Sequence, residues 1–288
     1  MILVTGATGH FGKAAIQFLL KKGVPASGIS ALVRDESKAV DLKESGITLK
    51  QADYDNYDSL VKAFTGVDKL LFVSGNDIGR RGPQQLNVVA AAKEAGVKYI
   101  LYTSFERVKE DGSSPIDFVA SSHLATEKAI RESGIPYTIF RNNLYTDFIP
   151  VFLGDKVLET GVYWPSGETK LALALREEMA EAAANVLTDE GHDNKEYFIS
   201  GSENVSFREI ADMISNATGK KIGYHSPTQE EYKETLTQAG VPTEYIQMFA
   251  GFAEAIRQGE FNTEHSDLER LLGRRPTSVK EFLTKLYA

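Results

Sequence analysis

The N-terminal half of the chain alternates short apolar runs, rich in β-branched residues, with longer stretches whose apolar positions recur every three to four residues. Short continuous apolar runs are typical of strands covered on both faces, and the longer period is typical of helices that bury one side. The pattern predicts six strands, at Ile2–Thr5, Ile29–Val33, Ile47–Gln51, Lys69–Val73, Tyr99–Thr103 and Tyr137–Arg141. It predicts helices between them, at His10–Lys22, Ser37–Ser45, Asn56–Thr65, Arg81–Ala95 and Ser122–Ser133. This alternation favours right-handed βαβ units, so we expect an α/β fold with a doubly wound parallel sheet.

The second half has a looser pattern and no linker rich in Gly, Pro or Ser. Strand-like pieces are predicted at Gly161–Trp164, Glu196–Ser200 and Lys221–His225. Helices are predicted at Arg176–Leu187, Ser206–Thr218, Thr228–Ala239, Thr243–Gln258 and Ser278–Leu286. We therefore expect two domains, a sheet domain over residues 1–142 and a smaller α/β lobe over 143–288. The boundary is soft, and segments of the lobe can cross back to the sheet.

Composition narrows the class of protein. The chain has 288 residues, no Cys, and 40 acidic against 32 basic residues, for a net charge of −8. A nucleic-acid-binding protein normally carries a basic face, so we expect no nucleic-acid partner. No apolar run is long enough to span a bilayer, and the start lacks the pattern of a secretory signal. We expect a cytoplasmic protein without disulfides. A homodimer is left open.

A glycine-rich stretch follows the first predicted strand and opens the first helix: Gly6-Ala7-Thr8-Gly9-His10-Phe11-Gly12. In such a stretch the first glycine permits a tight turn, the second lets the backbone approach a pyrophosphate, and the third lets the helix lie close to the sheet. The free N–H groups at the start of the helix then face the anion. Because the stretch has the strand–turn–helix context that this site needs, the sequence predicts a dinucleotide site here.

The end of the second strand bears on which dinucleotide is bound. A carboxylate there suits the ribose 2′-hydroxyl of NAD, and a cation suits the 2′-phosphate of NADP. Arg34 follows the strand directly, and Lys38 comes one helical turn later, whereas Asp35 is evidence against a phosphate. A guanidinium can grip phosphate with two hydrogen bonds. We expect NADPH, with Arg34 and Lys38 at its phosphate.

The ends of the third and fourth strands supply further cofactor candidates. Asp53 and Tyr54 lie where the adenine would sit, although Asp53 can also cap the next helix. Ser74-Gly75-Asn76 follows the fourth strand, where small residues let a ribose and pyrophosphate pass close to the backbone. Arg80 and Arg81 come just beyond, and we expect them to be a solvated loop and helix start rather than ligands of an anion.

These residues together resemble the NmrA-like group of atypical short-chain dehydrogenase/reductases, and within it the type 2 NAD(P)H:quinone oxidoreductases and triphenylmethane reductases. The resemblance covers nearly the whole chain. It rests on Thr5–Gly12, Val33-Arg34, Gly66–Gly75, Tyr102-Thr103-Ser104, His123–Glu127 and Ile135–Asp147, of which the last two segments are the most specific. The resemblance implies an NADPH-binding Rossmann domain with a small C-terminal lobe over the nicotinamide.

The chain lacks the Tyr-x-x-x-Lys pair that protonates a carbonyl oxygen in ordinary short-chain dehydrogenases. None of its twelve tyrosines has a lysine four residues later, and Leu124 stands four residues before Lys128. His123 and Glu127 lie in the same helix at i, i+4 and so share a face. Glu127 could orient the His123 imidazole as a proton or hydrogen-bond donor, with the alternative that His123 is a polar helix-start residue. Lys128 could reach the ribose or nicotinamide, with a surface ion pair to Glu132 as the alternative.

The segment after the sixth strand supplies candidates for the substrate side. Asn142, Asn143 and Tyr145 lie where a carboxamide or substrate would meet the carboxyl ends of the strands. We expect Asn143 on the cofactor and Tyr145 among the catalytic residues, although turn structure and core burial are open alternatives. An apolar pocket for an aromatic acceptor could be formed by Phe105, Phe148, Phe152 and Trp164. No spacing typical of a metal site appears among the five His residues.

Two functions fit these observations. The first is an NADPH-dependent reductase that passes hydride to a quinone-like or other conjugated, electron-poor acceptor, which needs little acid catalysis from the protein. The second is a non-catalytic NADP(H)-binding redox sensor that acts through a protein partner, as some NmrA-like proteins do. Sugar-nucleotide epimerase chemistry is disfavoured because it needs the missing tyrosine. We expect the reductase, with a small aromatic or quinone acceptor.

Overall fold

The computed structural model describes residues 1–288 and contains eleven strands. In chain order they are β1 Ile2–Val4, β2 Ile29–Val33, β3 Thr48–Gln51, β4 Lys69–Phe72, β5 Tyr99–Phe105, β6 Tyr137–Asn142, β7 Val162–Tyr163, β8 Lys170–Leu171, β9 Lys195–Ile199, β10 Val205–Ser206 and β11 Tyr224–His225. Seven of them form one parallel sheet in the order β3-β2-β1-β4-β5-β6-β9. The predicted doubly wound α/β fold is confirmed.

Thirteen α-helices surround or follow this sheet. They are α1 His10–Lys21, α2 Val40–Glu44, α3 Tyr57–Phe64, α4 Arg81–Glu94, α5 Asp117–Ser133, α6 Ile149–Leu153, α7 Val157–Thr160, α8 Arg176–Thr188, α9 Phe207–Thr218, α10 Gln229–Gln238, α11 Thr243–Arg257, α12 Leu268–Leu272 and α13 Val279–Tyr287. None of them is both long enough and apolar enough to cross a membrane.

Helices cover both faces of the sheet, which explains the uninterrupted apolar runs of its strands. On one face α1 and α8 contribute Leu19, Met179 and Leu187 to a core shared with β1 and β2. On the other face α3, α4 and α5 contribute side chains such as Leu60 and Val88 to a second core. Every residue of β2 and β5 is buried, as a strand between two helical layers requires.

The strand order reverses beside β1, because the chain runs outward through β2 and β3 and then returns to β4 on the other side of β1. The loops after β1 and β4 therefore leave the sheet in opposite directions. Such a point opens a crevice at the carboxyl ends of the strands, where ligands of this fold class bind. The glycine-rich stretch and Ser74 both lie at this crevice, after β1 and β4 respectively.

The C-terminal half contributes to two bodies of structure. A third core, built around Trp164, Phe207 and Phe261, forms the smaller lobe. However, α8 and β9 return to the main sheet, where β9 pairs with β6, and α12 packs on α8. The domain boundary at residue 142 therefore stays a prediction from the sequence. Residues 143–288 build both the lobe and one edge of the sheet.

A buried carboxylate joins helix α5 to the sheet. Glu127 accepts hydrogen bonds from Ser104 Oγ at 2.5 Å, from both terminal nitrogens of Arg107 at 2.9 Å, and from Arg131 and Arg141 at 3.0 and 3.1 Å. Burial alone would raise its pKa, but these hydrogen bonds and the charges of Arg107 and Arg141 outweigh burial and lower the pKa of Glu127 to about 2. The ionised carboxylate therefore stabilises the folded state at neutral pH.

We expect Glu127→Gln to destabilise the protein by about 3–5 kcal/mol at pH 7, because it removes the only buried counter-charge of Arg107 and leaves it the exposed Glu110. Since the folded-state pKa is lowered from 4.5, this stabilisation is present above that value and is lost as the pH falls toward 2. Urea unfolding of both proteins at several pH values measures the difference. A difference that stays constant between pH 7 and acid would contradict the role given to this carboxylate.

Candidate active site

The glycine-rich stretch forms an open turn that leads into α1. Gly6 has a φ of +58°, which favours glycine, and a Cβ on Gly12 would lie only 2.8–2.9 Å from backbone atoms of Gly6 and Ala7. The first N–H groups of a helix have no partner within the helix. At the start of α1 no side chain caps them, so they remain open. Two of the three glycine roles thus have a direct geometric basis, and the turn presents free amides to an anion.

The predicted residues of this turn do not all face the same way. Thr8, Gly9 and His10 are exposed around the open amides. The side chain of Phe11, in contrast, is buried in the core between α1 and the sheet. The expectation that Phe11 contacts the cofactor is therefore corrected for its side chain, because only its backbone remains at the turn.

Arg34 and Lys38 lie at the carboxyl end of β2 as exposed cations. Neither side chain makes an ion pair or hydrogen bond with the protein. The competing carboxylate of Asp35 is already engaged, since it accepts hydrogen bonds from Ser37 N at 3.0 Å and from Ser37 Oγ at 2.7 Å. These bonds lower the pKa of Asp35 and make it the cap of the 3₁₀ turn Glu36–Ala39. Asp35, the residue that counted against a 2′-phosphate, therefore has a structural role as a cap.

The ends of β3 and β4 form the next part of the crevice. The Asp53 carboxylate accepts from Asp55 N at 3.0 Å, while Asn56 caps α3 in its place. Tyr54 is half-buried with its ring edge-on to Phe72, and burial raises the pKa of its hydroxyl. At the end of β4, Ser74 N donates to Thr103 Oγ1 at 2.9 Å. Gly75 is half-buried and Asn76 is exposed, so this loop leaves room beside the backbone.

His123 and Tyr102 form a buried, uncharged pair behind these loops. His123 Nδ1 and the Tyr102 hydroxyl share a hydrogen bond of 2.7 Å, and the imidazole stacks on Phe105 with ring centroids 5.9 Å apart. Burial, and then the charge of Arg81, hold the pKa of His123 well below 6.5, and burial raises the pKa of Tyr102. His123 Nε2 makes no hydrogen bond with the protein.

Two expectations about this helix are corrected. Glu127 does not orient His123, because its carboxylate is bound by Ser104 and three arginines; Tyr102 is the partner instead. Lys128 does not join the cluster, since its side chain is 74% exposed and lies 3.7 Å from Glu132 in a surface ion pair. Helical spacing placed both residues correctly along α5, but the strands that face the helix decide their partners.

The segment after β6 places one asparagine in a structural role and leaves another unpaired. Asn143 donates to Glu106 Oε2 at 3.0 Å and accepts from Leu144 N at 2.7 Å, so its amide is largely used within the protein. Asn142, the last residue of β6, was predicted with Asn143 to meet a carboxamide or substrate, and it is buried with both side-chain polar atoms unpartnered. An unsatisfied buried amide at a strand end is unusual and is typical of a place that a ligand completes.

Two further titratable groups that were not predicted to be part of the site are also buried here. Burial raises the pKa of Glu106, which follows β5, to about 7 despite the Asn143 hydrogen bond. Arg81 is 6% exposed, so the prediction of a solvated helix start is wrong for this residue. Its neighbour Arg80 is solvated as expected and pairs with Asp55 and Asp77. Nothing in the sequence Arg80-Arg81 distinguishes the buried residue from the exposed one.

Aromatic residues continue from this cluster toward the smaller lobe. Tyr145 lies between Arg176, whose guanidinium is 5.3 Å from the ring centroid, and Phe148, whose ring centroid is 6.2 Å away. Phe148 contacts Phe152 in turn at 5.8 Å. Trp164 is fully buried and stacks on Phe207, so it belongs to the core of the lobe rather than to an open pocket.

A cleft of about 1260 Å³ touches the glycine-rich turn at Thr8, Gly9 and His10. Its other walls come from α1, from Asp147, from α8 with Arg176, and from residues between 274 and 286, and His123 does not line it. We place the site by the strand ends, where the unpaired polar groups converge. No cluster of His, Asp or Glu side chains is arranged to hold a metal ion.

With this geometry in view, the chain can be compared with known proteins. The model of the NmrA-like family matches residues 1–283. The chain belongs to the NmrA-like family. This confirms the resemblance predicted from the sequence.

Relatives and solved structures that are similar to this NmrA-like protein span most or all of its length. Quinone oxidoreductase 2 of Escherichia coli is 36% identical over 288 residues, which cover 100% of this chain and 99% of that one. The NAD(P)H azoreductase of Xenophilus azovorans is 29% identical over 84% of this chain and 82% of its own. The triphenylmethane reductase of Citrobacter sp., solved with NADP(H), superposes with a TM-score of 0.92 at 42% identity over 100% of both chains.

The arrangement of Arg34 in this NmrA-like protein leads to a direct prediction. We expect Arg34→Ala to reduce the preference for NADPH over NADH by about 10- to 100-fold, because the variant loses a charge-assisted contact to the 2′-phosphate. Fluorescence titration with each cofactor measures the two affinities. Arg257→Ala, which removes an exposed arginine from α11, is the matched control. Equal affinity of the wild type for both cofactors would refute the role of Arg34.

Proposed function

We propose that this protein is an NADPH-dependent oxidoreductase that delivers hydride to a quinone or another conjugated, electron-poor acceptor. The observation that carries the proposal is that two features lie at the carboxyl ends of the strands of one sheet. The open helix start after β1 and the exposed Arg34 after β2 suit an anion, while Tyr102 and His123, a buried and uncharged pair, pack against Phe72 and Phe105 at the ends of β4 and β5. No Tyr-x-x-x-Lys pair accompanies them.

The residues at the crevice fit a phosphorylated dinucleotide. The open amides of α1 would hold the pyrophosphate, and Arg34 with Lys38 would hold the 2′-phosphate. The half-buried Tyr54 ring would border the adenine half, and the unpartnered amide of Asn142 would gain partners from the nicotinamide half. When bound, NADPH supplies the hydride. The protein supplies position and a site with little water.

The acid–base properties of the site support a conjugated acceptor. His123 is neutral near pH 7, and burial raises the pKa of both Tyr102 and Tyr145. None of these three groups is a strong proton donor at neutral pH. An isolated ketone needs such a donor when hydride arrives, whereas a quinone spreads the charge over its ring and can take its proton from water. The quinone oxidoreductase of E. coli and the triphenylmethane reductase of Citrobacter sp. are both named for conjugated acceptors.

We assign His123 and Tyr145 to the acceptor side of the site. When the Tyr102 hydroxyl donates to Nδ1, Nε2 carries the proton of the neutral ring and is free to hydrogen-bond an acceptor oxygen. The Tyr145 ring, held by Arg176, gives a flat surface against which an aromatic acceptor can lie. Lys128 has no part in this assignment.

Stopped-flow loss of NADPH absorbance with a series of quinones tests the proposal. We expect NADPH oxidation that requires both the protein and the quinone. If the protein binds NADPH tightly but consumes none with any quinone, azo compound or cationic dye, the reductase is refuted. The same result would support a sensor that only binds the cofactor.

We expect His123→Asn to lower kcat/KM for quinones by about 10- to 100-fold while NADPH affinity changes little, because one hydrogen bond to the acceptor is lost. A second His–Tyr pair provides the control. His192 Nδ1 and the Tyr197 hydroxyl lie 2.9 Å apart, and His192 precedes β9 at the opposite end of the sheet. His192→Asn should leave the quinone kinetics unchanged. Equal losses in the two variants would point to a general effect of packing.

A further inference from the structure

Arg81 is a buried cation without a carboxylate. Its Nε donates to Ser122 Oγ at 2.9 Å, its Nη2 to the Val119 carbonyl at 3.2 Å and its Nη1 to the Gly75 carbonyl at 3.5 Å. All three acceptors are uncharged, and no acidic group lies within ion-pair distance. The first turn of α4, where Arg81 lies, contains no acidic residue either.

The other buried arginine shows what this chain does when a guanidinium has only a structural role. Arg107 is 5% exposed and is met by the Glu127 carboxylate at 2.9 Å and by Glu110 at 3.0 Å. A buried charge without a partner costs several kcal/mol, so it persists where a ligand or a reaction uses it. The contrast between these two residues indicates that the missing anion at Arg81 comes from outside the protein.

The surroundings of Arg81 place that anion at the reacting end of the site. One of its acceptors, Gly75, lies in the loop after β4. The other two lie in the first turns of α5, where Ser122 directly precedes His123. The charge of Arg81 acts on the pKa values of Tyr102, His123 and Tyr145, and Ser122, which binds Arg81 Nε, directly precedes His123, so Arg81 lies near this cluster. Arg34, which we assign to the phosphate end of the dinucleotide, follows β2 and is far from Arg81 in the chain.

We propose that Arg81 stabilises the negative charge that hydride transfer places on the acceptor oxygen, and that it thereby selects neutral carbonyl acceptors over cationic dyes. This inference rests on the proposed function. When NADPH passes hydride to one oxygen of a quinone, that oxygen becomes a hydroxyl, the other becomes the anionic oxygen of a hydroquinone monoanion, and NADPH is oxidised to NADP⁺. The anionic oxygen then takes a proton from water. A triarylmethyl cation that gains hydride at its central carbon becomes a neutral leuco compound.

The two reactions therefore respond to a fixed cation in opposite ways. Negative charge develops beside Arg81 in the first reaction, and a preorganised cation in a site with little water stabilises it strongly. In the second reaction the substrate itself is positive, so Arg81 opposes its binding and no anion forms. Arg81 takes the place of the missing proton donor for one class of acceptor only.

The test compares both acceptor classes in variants of one residue. Arg81→Met keeps the length of the side chain and removes the charge, and Ser122 Oγ still donates to the Val119 carbonyl at 2.9 Å. Arg81→Lys keeps the charge. Arg80→Met makes the same change at the adjacent, exposed arginine and is the matched control. For each protein, kcat/KM is measured with menadione and with malachite green at saturating NADPH, together with the Kd for NADPH.

We expect Arg81→Met to lower kcat/KM for menadione about 100-fold and to leave that for malachite green equal or higher. Arg81→Lys should retain most of the preference for menadione, Arg80→Met should not change the ratio, and the Kd for NADPH should stay within about twofold. Equal losses with both acceptors, or a loss explained by weaker NADPH binding, would overturn the proposal. If the wild type reduces neither acceptor, the proposed function itself fails.

A second measurement needs no variant and decides the matter if Arg81→Met does not fold. In the wild type, 4-nitrophenolate resembles the hydroquinone monoanion, whereas 4-nitroanisole has the same ring without the charge. We expect the phenolate to inhibit menadione reduction at least about tenfold more strongly, competitively with menadione. Equal inhibition by the two compounds would contradict an anion-binding role for Arg81.

Discussion

The reversal of strand order beside β1 is the constraint on which the site depends. Because β2 and β4 lie on opposite sides of β1, the loops after β1 and β4 separate and leave a crevice between them. The same parallel arrangement brings the ends of β2, β5 and β6 to this edge, with Arg34, Phe105 and Asn142 at or next to those ends. Residues that are far apart in the chain thus meet at one edge without any long loop to hold them.

Charge, rather than proton donation, distinguishes the two ends of this crevice. At the open end, exposed cations and free amides suit phosphate groups. At the closed end, the buried guanidinium of Arg81 has no carboxylate partner. Of the acidic residues nearby, Glu127 is bound by three arginines and Glu106 accepts from Asn143. A site of this kind can stabilise a developing anion without transferring a proton to it.

Most of the fold could be predicted from the sequence, because a strand that is buried on both faces appears in the sequence as an uninterrupted apolar run. The bounds of β2 were predicted to the residue, and the other strands of the sheet within two. The helix α5 begins at Asp117 rather than Ser122, since Val119 and Ala120 extend its buried face by one turn. The short helices α6, α7 and α12 were missed because elements of four or five residues show no period.

The site could be predicted only in part, for a physical reason. Glycine spacing and a cation after a strand are local signals, and they located the turn and Arg34. The partner of His123 is Tyr102 on β5, and the partners of Glu127 come from β5 and β6 as well as from α5. Helical spacing identifies residues that share a face, but the side chains opposite that face come from distant strands. The burial of Arg81 likewise depends on Ser122 and Val119, which are far away in the chain.

We infer that hydride passes directly to an acceptor without a proton donor in the rate-limiting step. Menadione reduction is followed with NADPH and with NADPH deuterated at the transferred position, each in H₂O and in D₂O. We expect a slower reaction with the deuterated cofactor and the same rate in both solvents. A rate that falls in D₂O but does not depend on deuteration of the cofactor would contradict it.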